Sequence, residues 1–293
     1  MGPILILGGT GMLGHKVWQV FEKRFDTWMT IRGPVEPWLY LPFFRKEKII
    51  ENVDAFSQES VARALDKIKP DVVVNCIGIV KKLKESENPV SSITLNALLP
   101  HWVAELCLQR SIRFIHISTD CVFSGKTGSY TEEDLPDPYD LYGRTKLLGE
   151  VAENGCLTLR TSIIGRELKR SVGLLEWFLS QRGNIIQGYK HAIFTGFITA
   201  ELAAILADIV ANHPGLCGLY HLSSNPINKY DLLNMIKTAL DLEITINEDE
   251  GVSIDRSLDS SKLRKILSYE PPTWKEMIQR LSEEAAQYEE WRR

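Results

Sequence analysis

No stretch of this sequence stays apolar for long. Its hydrophobic runs fall well short of the ~20 residues that span a bilayer, which excludes a transmembrane helix. Cysteine is sparse and unpatterned: Cys76, Cys107, Cys121, Cys156 and Cys217 are odd in number and mostly lie inside apolar runs. That distribution excludes a disulfide frame and points to reduced, buried thiols in a cytoplasmic protein. The six histidines are scattered without ligand spacing, so no metal site is expected. Positive charge is not in excess: the formal net charge is −4, and no lysine or arginine run is long enough to grip a polyanion, so nucleic acid is excluded as a partner. Internal repeats and low-complexity segments are lacking. The first apolar run begins at Pro3 and leaves no room for a signal peptide, a second reason to expect a cytoplasmic protein.

What is present is a soluble globular composition, 44% hydrophobic and 25% charged, in a chain of 293 residues that can bury one large core or two. The most informative stretch is the first turn. Pro3–Leu7 is an apolar run too short for a helix, and Gly8-Gly-Thr10-Gly11-Met12-Leu13-Gly14 follows it. Beyond Gly14, Val17, Val20, Phe21 and Phe25 recur at helical spacing among charged residues. Strand, glycine turn and helix together are the context in which a glycine motif binds a dinucleotide. Gly8 lets the chain reverse, Gly11 lets a diphosphate approach the backbone, and Gly14 lets helix pack on strand. The helix N-terminus then presents N–H groups to the phosphates.

Thr27–Ile31 reads as the second strand. An acidic residue at its end would bind the ribose hydroxyls of NAD, whereas a cation accommodates the 2′-phosphate of NADP. The sequence offers Arg32 and no carboxylate, so NADP(H) is the expected cofactor. The aromatic stretch 34–44 is expected to form a loop tucked against the core. Asn52–Asp54 ends a third short strand, with Asp54 facing the adenine, and Ser57 caps a helix to about Lys69. Asp71–Gly78 is a fourth strand, apolar enough to be covered on both faces, and Cys76, Ile77 and Gly78 at its end are expected beside the cofactor. Lys81, Lys82 and Lys84 follow, where phosphates of cofactor or substrate would sit. A long helix over Val90–Arg110 carries Asn96, and Arg113–Ile117 is a fifth strand that opens onto Ser118-Thr-Asp-Cys-Val-Phe123. Tyr142–Lys146 starts a helix running to about Glu153, and Leu157–Ser162 is a sixth strand.

This alternation predicts an α/β fold with one doubly wound, mostly parallel Rossmann sheet. The expected division is a dinucleotide-binding domain over 1–165, to which 195–224 returns, and a smaller substrate-binding region over 166–293. In that region helices are expected over Gly173–Gln181, Ala200–Ala211, Lys229–Leu240, Leu258–Leu267 and Trp274–Tyr288, and a strand over Gly218–Ser223. Ligands of open α/β sheets lie outside the carboxyl ends of the strands, and the C-terminal third is expected to form the other wall of that cleft.

Tyr142 and Lys146 are one helical turn apart and share a face. An ammonium beside a phenol favours the phenolate, which suits Tyr142 to shuttle protons near neutral pH. Thr119, at a strand end, has a hydroxyl able to hold a carbonyl oxygen. Three such groups beside a nicotinamide suit hydride transfer coupled to proton transfer at a C–O bond.

These residues carry a family resemblance. Ser118-Thr-Asp-Cys-Val-Phe123, Tyr142-Gly-Arg-Thr-Lys146-Leu, Leu159-Arg-Thr-Ser162, Gly218-Leu-Tyr-His-Leu222 and Arg256-Ser-Leu-Asp-Ser-Ser-Lys-Leu263 resemble an extended short-chain dehydrogenase/reductase, within it the dTDP-4-dehydrorhamnose reductase group. The resemblance runs from Ile4 to about Leu267. It implies NAD(P)H-dependent reduction of the 4-keto group of a nucleotide-linked 6-deoxyhexulose, in making sugars for cell-surface polysaccharide. It implies Thr119, Tyr142 and Lys146 as catalytic residues. Gly8, Thr10, Gly11, Met12, Leu13, Arg32, Asp54, Cys76, Ile77, Gly78, Asn96 and Ser118 are expected, with Tyr142 and Lys146, around the cofactor. Lys81, Asp120, Cys121, Val122, Phe123, Ile163 and Arg256 are expected around the sugar nucleotide. Cys121 stands where the family usually has tyrosine, and Ile163 where it often has tryptophan, which leaves the hexose open. A 4,6-dehydratase would need a Thr-Asp-Glu run, which Cys121 breaks. A 4-epimerase, and a dinucleotide-binding regulatory subunit resembling the β subunit of methionine adenosyltransferase, remain alternatives. A homodimer is compatible with the sequence.

Overall fold

The computed structural model describes residues 1–79, 88–169 and 172–291. Seven strands form its main sheet: β1 (Ile4–Leu7), β2 (Thr27–Thr30), β3 (Ile49–Ile50), β4 (Val72–Asn75), β5 (Arg113–Thr119), β6 (Leu157–Thr161) and, far along the chain, β10 (Gly218–His221). Their spatial order is β3-β2-β1-β4-β5-β6-β10. The β1–β2, β1–β4, β2–β3 and β4–β5 pairings are all parallel. The chain therefore leaves β1 in one direction along the sheet and returns to its other side at β4, the point where such sheets bind ligands.

The intervening helices cover both faces. They are α1 (Gly14–Phe21), α2 (Gln58–Ile68), α3 (Pro89–Ser92), α4 (Leu99–Gln109) and α5 (Leu141–Leu148). Strand side chains alternate between faces, so Leu5, Leu7 and Val73 pack with Val61, Leu65, Leu99, Val103 and Leu106 of α2 and α4. Ile4 and Ile6 point the other way and are equally buried. Ser57 accepts the Ser60 N–H at 3.2 Å and caps α2, as its sequence context predicts. Residues Ile93–Leu98 join α3 to α4 as a π-helical segment, so the long helix expected over 90–110 carries a wide turn.

The chain divides into two compact units. One comprises 1–118, 139–159 and 203–219; the other comprises 119–138, 160–202 and 220–293. The second contains β7 (Ile163–Ile164), α6 (Leu174–Leu179), β8 (Ile185–Phe194), β9 (Phe197–Ile198), the start of α7 (Thr199–Asn212), β11 (Ile227–Asn228), α8 (Lys229–Ala239), β12 (Thr245–Asp255), α9 (Ser261–Leu267) and α10 (Trp274–Trp291). β8 is the centre of a three-stranded sheet, antiparallel to β11 and parallel to β12. Arg166 is buried there, with Nε donating to Glu176 at 2.8 Å and Nη2 to Glu289 at 2.9 Å. It ties the loop after β7 to α6 and α10.

Several boundaries differ from expectation. The third strand ends at Ile50, because Asn52 turns into the left-handed region at φ 59°. The helix carrying Tyr142 stops at Leu148, not Glu153. Gly149 follows it so close to the π segment that an added Cβ would overlap the Asn96 carbonyl oxygen. Leu258 and Asp259 are not helical; Leu258 bridges Tyr130, and α9 starts at Ser261. The aromatic stretch 34–44 does tuck inward: Val35, Leu41 and Phe44 are buried, and Trp18 Nε1 donates to the Phe43 carbonyl at 2.8 Å. Among the described residues no helix is long and apolar enough to cross a membrane.

Candidate active site

The glycine turn lies at the carboxyl end of β1. Gly8 has φ +85°, a conformation that favours glycine, and the Gly9 N–H donates to the Thr30 carbonyl at 2.8 Å, holding the turn against β2. At Gly14 an added Cβ would overlap the Gly8 carbonyl oxygen, so only glycine lets α1 start this close to the strand. No side chain caps α1 at Leu13; the His15 and Lys16 N–H groups donate to the Gly11 and Leu13 carbonyls at 3.2 and 3.0 Å. At Gly11 the surroundings are open: an added Cβ would meet only the Gly8 oxygen at 3.4 Å and the Cys76 oxygen at 4.0 Å. Thr10 and Met12 are half-buried and Leu13 is buried beneath the turn. A loop of exposed backbone before an uncapped helix is what an anionic group needs.

Arg32 is exposed just beyond β2. Asp54 is exposed too, but its carboxylate accepts the Phe56 N–H at 3.0 Å and shapes the turn into α2. Across the switch point, Cys76, Ile77 and Gly78 leave β4, with Gly78 exposed. Burial pushes the Cys76 thiol up to about 12, so it is an inert group there.

Asn96 locks this strand end to α5. Its Oδ1 accepts the Ile79 N–H at 2.9 Å, and its Nδ2 donates to the Ile79 carbonyl at 3.2 Å and to Thr145 Oγ1 at 3.4 Å. Both ends of this amide are engaged by protein, so it braces the strand end against α5. Asp140 caps α5 by accepting the Gly143 N–H at 2.8 Å. Tyr142 is half-buried on the first turn, and Lys146, one turn later, is buried. Lys146 Nζ donates to the Ile117 carbonyl at 2.7 Å and lies 3.5 Å from His116 Nε2. Burial lowers its pKa to about 8, against the opposing pull of Glu150. Ser118, expected at the cofactor, donates its hydroxyl to Glu150 Oε1 at 2.7 Å.

The substrate-side residues fall in the second unit. Thr119 Oγ1 accepts the Cys121 N–H at 3.1 Å and donates to Asp120 Oδ1 at 3.2 Å, within the turn it begins. Burial raises the Asp120 carboxyl, with Arg256 the largest opposing influence. Arg256 Nε donates to the Phe123 carbonyl at 2.8 Å, which gathers Asp120, Cys121, Phe123 and Arg256 into one cluster. The side chains of Val122 and Phe123, expected around the sugar nucleotide, are fully buried. Phe123 stacks on Tyr130 at 4.1 Å and carries the Arg160 guanidinium 5.2 Å from its ring centre. Ile163 is half-buried on β7, paired with Phe197 of β9. Lys81, Lys82 and Lys84 lie outside the described residues.

Sequence reasoning missed His116, which lies against Lys146, Asn75, which bonds His116, Glu150, which accepts from Ser118, and Thr145, which accepts from Asn96. The signal was available: Asn75 and His116 are polar residues inside otherwise apolar parallel strands, a placement that requires buried partners.

Comparison with known proteins bears on this arrangement. The mouse (Mus musculus) methionine adenosyltransferase 2 subunit beta is 29% identical over 283 residues, covering 90% of this chain and 82% of its own. The dTDP-4-dehydrorhamnose reductase of Salmonella typhimurium is 28% identical over 228 residues, 75% of this chain and 71% of its own. The crystal structure of dTDP-4-dehydrorhamnose reductase from Bacillus anthracis in complex with NADP superposes with a TM-score of 0.80 at 21% identity, covering 97% of this chain and all of that one. That likeness establishes the short-chain dehydrogenase/reductase type of fold. The model of the RmlD substrate binding domain matches residues 1–287, and the chain belongs to that family.

Proposed function

We propose that this protein is an NADPH-dependent reductase of the 4-keto group of a nucleotide-linked 6-deoxyhexulose, in the supply of sugars for surface polysaccharide. The observation that carries the reading is Tyr142 and Lys146 together on one face of α5, with Lys146 anchored on the Ile117 carbonyl in the unit that holds the glycine turn. The turn fits a dinucleotide: its backbone is open at Gly11, α1 has no side-chain cap, and Arg32 offers a cation at the end of β2. The turn over Gly8–Leu13 would hold the diphosphate, and Cys76–Gly78 would flank the middle of the cofactor. When bound, the reduced nicotinamide supplies a hydride to the carbonyl carbon.

The chain's own residues handle the proton. Tyr142 gives its phenolic proton to the carbonyl oxygen as negative charge develops there. Lys146, fixed by Ile117, stabilises the resulting phenolate while it is an ammonium and offers a donor to the nicotinamide ribose. Asp120, Cys121 and Arg256 are the candidate sugar-nucleotide contacts, with Ile163 beside the hexose and Thr119 assisting at the oxygen; Lys81 is a candidate phosphate contact. Cys121 and Ile163 are smaller than the tyrosine and tryptophan of the resembling family, which supports a pocket that accepts a bulkier ring substituent.

A second reading is favoured by the 29% identity to a methionine adenosyltransferase β subunit over 90% of this chain: a dinucleotide-binding regulatory subunit. Mixing the protein with NADPH and a dTDP-linked 4-keto-6-deoxyhexose separates the two. A reductase bleaches the absorbance of the reduced nicotinamide with multiple turnovers, whereas a regulator binds the cofactor and leaves it reduced.

A further inference from the structure

Beneath Lys146 runs a chain of buried polar groups whose direction can be read from one fixed donor. The Ile77 amide can only donate, and it does so to Asn75 Oδ1 at 3.0 Å. The other end of that side chain, the Asn75 NH₂, therefore faces His116 Nδ1, 3.2 Å away. A donor facing Nδ1 makes Nδ1 the unprotonated ring nitrogen, so the neutral imidazole carries its hydrogen on Nε2. His116 is wholly enclosed, its ring stacked on Phe114, and burial keeps it neutral by holding its pKa well below the ordinary value. Its Nε2–H points at Lys146 Nζ, 3.5 Å away. An ammonium has no lone pair and cannot accept that hydrogen; a neutral amine can.

We propose that His116, with its tautomer fixed by Asn75, is a positioning residue that acts through Lys146 by presenting Nε2–H to Nζ and so favouring the amine over the ammonium. The lysine then exchanges its proton at lower pH than an ordinary lysine: the ammonium gives one Nζ proton up to solvent, and the vacated lone pair accepts Nε2–H. The carbonyl of Ile117 holds Nζ in place in both forms, as an acceptor for one remaining N–H. The other charged and titratable groups acting here are Glu150, just past α5, which favours the ammonium and is bonded by Ser118, and His101 on α4, which acts on His116. Tyr142 stands one turn earlier on α5. The proposal deepens the reductase reading and rests on it for the catalytic use of Lys146. Its test needs no turnover, so it can fail while the reductase reading stands, and the reverse.

The experiment is NMR on the full chain with NADPH bound. Histidine ¹⁵N shifts report the tautomer of His116, and the ¹³Cε shift of Lys146, assigned by its loss in Lys146→Arg, reports its titration. The expected result is a neutral His116 with hydrogen on Nε2, and a Lys146 midpoint about two pH units below an ordinary lysine. Asn75→Asp places an acceptor against Nδ1, so the hydrogen should move to Nδ1, Nε2 should become an acceptor, and the Lys146 midpoint should rise by at least about one unit, tenfold in proton affinity. His116→Gln, which can turn its oxygen toward Nζ, should raise the midpoint in the same direction and decides the matter if Asn75→Asp does not fold. A native His116 protonated on Nδ1, or a Lys146 midpoint unmoved by the variant that folds, overturns the proposal.

Discussion

Two glycines three residues apart in the first turn should respond in opposite ways to the same added methyl group. At Gly14 an alanine Cβ overlaps the Gly8 carbonyl oxygen and comes within 2.8 Å of its carbon and 3.2 Å of Gly9 Cα. All three are backbone atoms and cannot rotate aside, so helix or turn must shift. Overpacking of this kind costs about 1–3 kcal/mol, and better helix propensity returns at most about 1 kcal/mol. Gly14→Ala is therefore expected to lose about 1–2 kcal/mol in urea unfolding. At Gly11 the nearest atoms are 3.4 and 4.0 Å away and φ is not positive. Gly11→Ala should keep or gain stability, by about 0.4–1 kcal/mol from the stiffer unfolded chain. Its methyl group, however, occupies the space proposed for the diphosphate. Losing one charge-assisted hydrogen bond costs about 1.5–3 kcal/mol, a rise in NADPH Kd of about tenfold to more than a hundredfold. Cofactor fluorescence titration measures the Kd. Native affinity in a folded Gly11→Ala would refute the placement of the diphosphate and leave the motif a structural turn.

Arg32→Ala is expected to weaken NADPH about tenfold while leaving NADH unchanged, each tenfold being about 1.4 kcal/mol; equal affinities for the two cofactors in the native protein would reduce Arg32 to a surface charge. Lys146→Met should both slow turnover and raise the NADPH Kd, whereas Tyr142→Phe should leave that Kd unchanged; equilibrium titration of the two variants checks this. His15 is fully enclosed, bonded to the Gly11 carbonyl at 2.7 Å, and its pKa is lowered to about 3 by burial. An unfolded histidine takes up a proton near pH ~6.5, so between there and about pH 3 the unfolded chain binds more protons and stability falls as pH falls. The cost is about 2 kcal/mol at pH ~5, and His15→Gln should lose correspondingly less between pH ~7 and ~5; parallel losses in urea unfolding would refute it.

The parallel half of the fold was legible because its signals are redundant. In β1 and β4 every residue is buried, and the glycine turn and the cap Ser57 mark where helices begin. The three-stranded sheet of the second unit was not legible. The buried face of β8 includes Gly188 between Ile186 and Ala192, and β12 reads Thr-Ile-Asn-Glu-Asp-Glu-Gly-Val-Ser-Ile-Asp, largely exposed. A strand at a sheet edge with so much charge carries no apolar alternation, and charge is one means by which edges avoid pairing with other chains. At the site, the spacing of Tyr142 and Lys146 was readable because it lies within one helix. The partners of Lys146 were not, because Asn75 and His116 come from neighbouring strands that are 41 residues apart in sequence and paired in register. Likewise, that the Ser118 hydroxyl donates to Glu150 and the Asn96 Nδ2 to the Ile79 carbonyl depends on tertiary neighbours that no local pattern encodes.

The central claim is that Tyr142 gives up its proton as hydride arrives. A single-turnover measurement with saturating NADPH and a dTDP-linked 4-keto-6-deoxyhexose isolates that step from binding. General acid catalysis contributes about a hundred- to ten-thousandfold in rate, so Tyr142→Phe should oxidise its bound NADPH at least about a hundredfold more slowly than the native protein. A rate within a fewfold of native would contradict the account, leaving Tyr142 a structural residue at the start of α5 and moving the regulatory-subunit reading to the front.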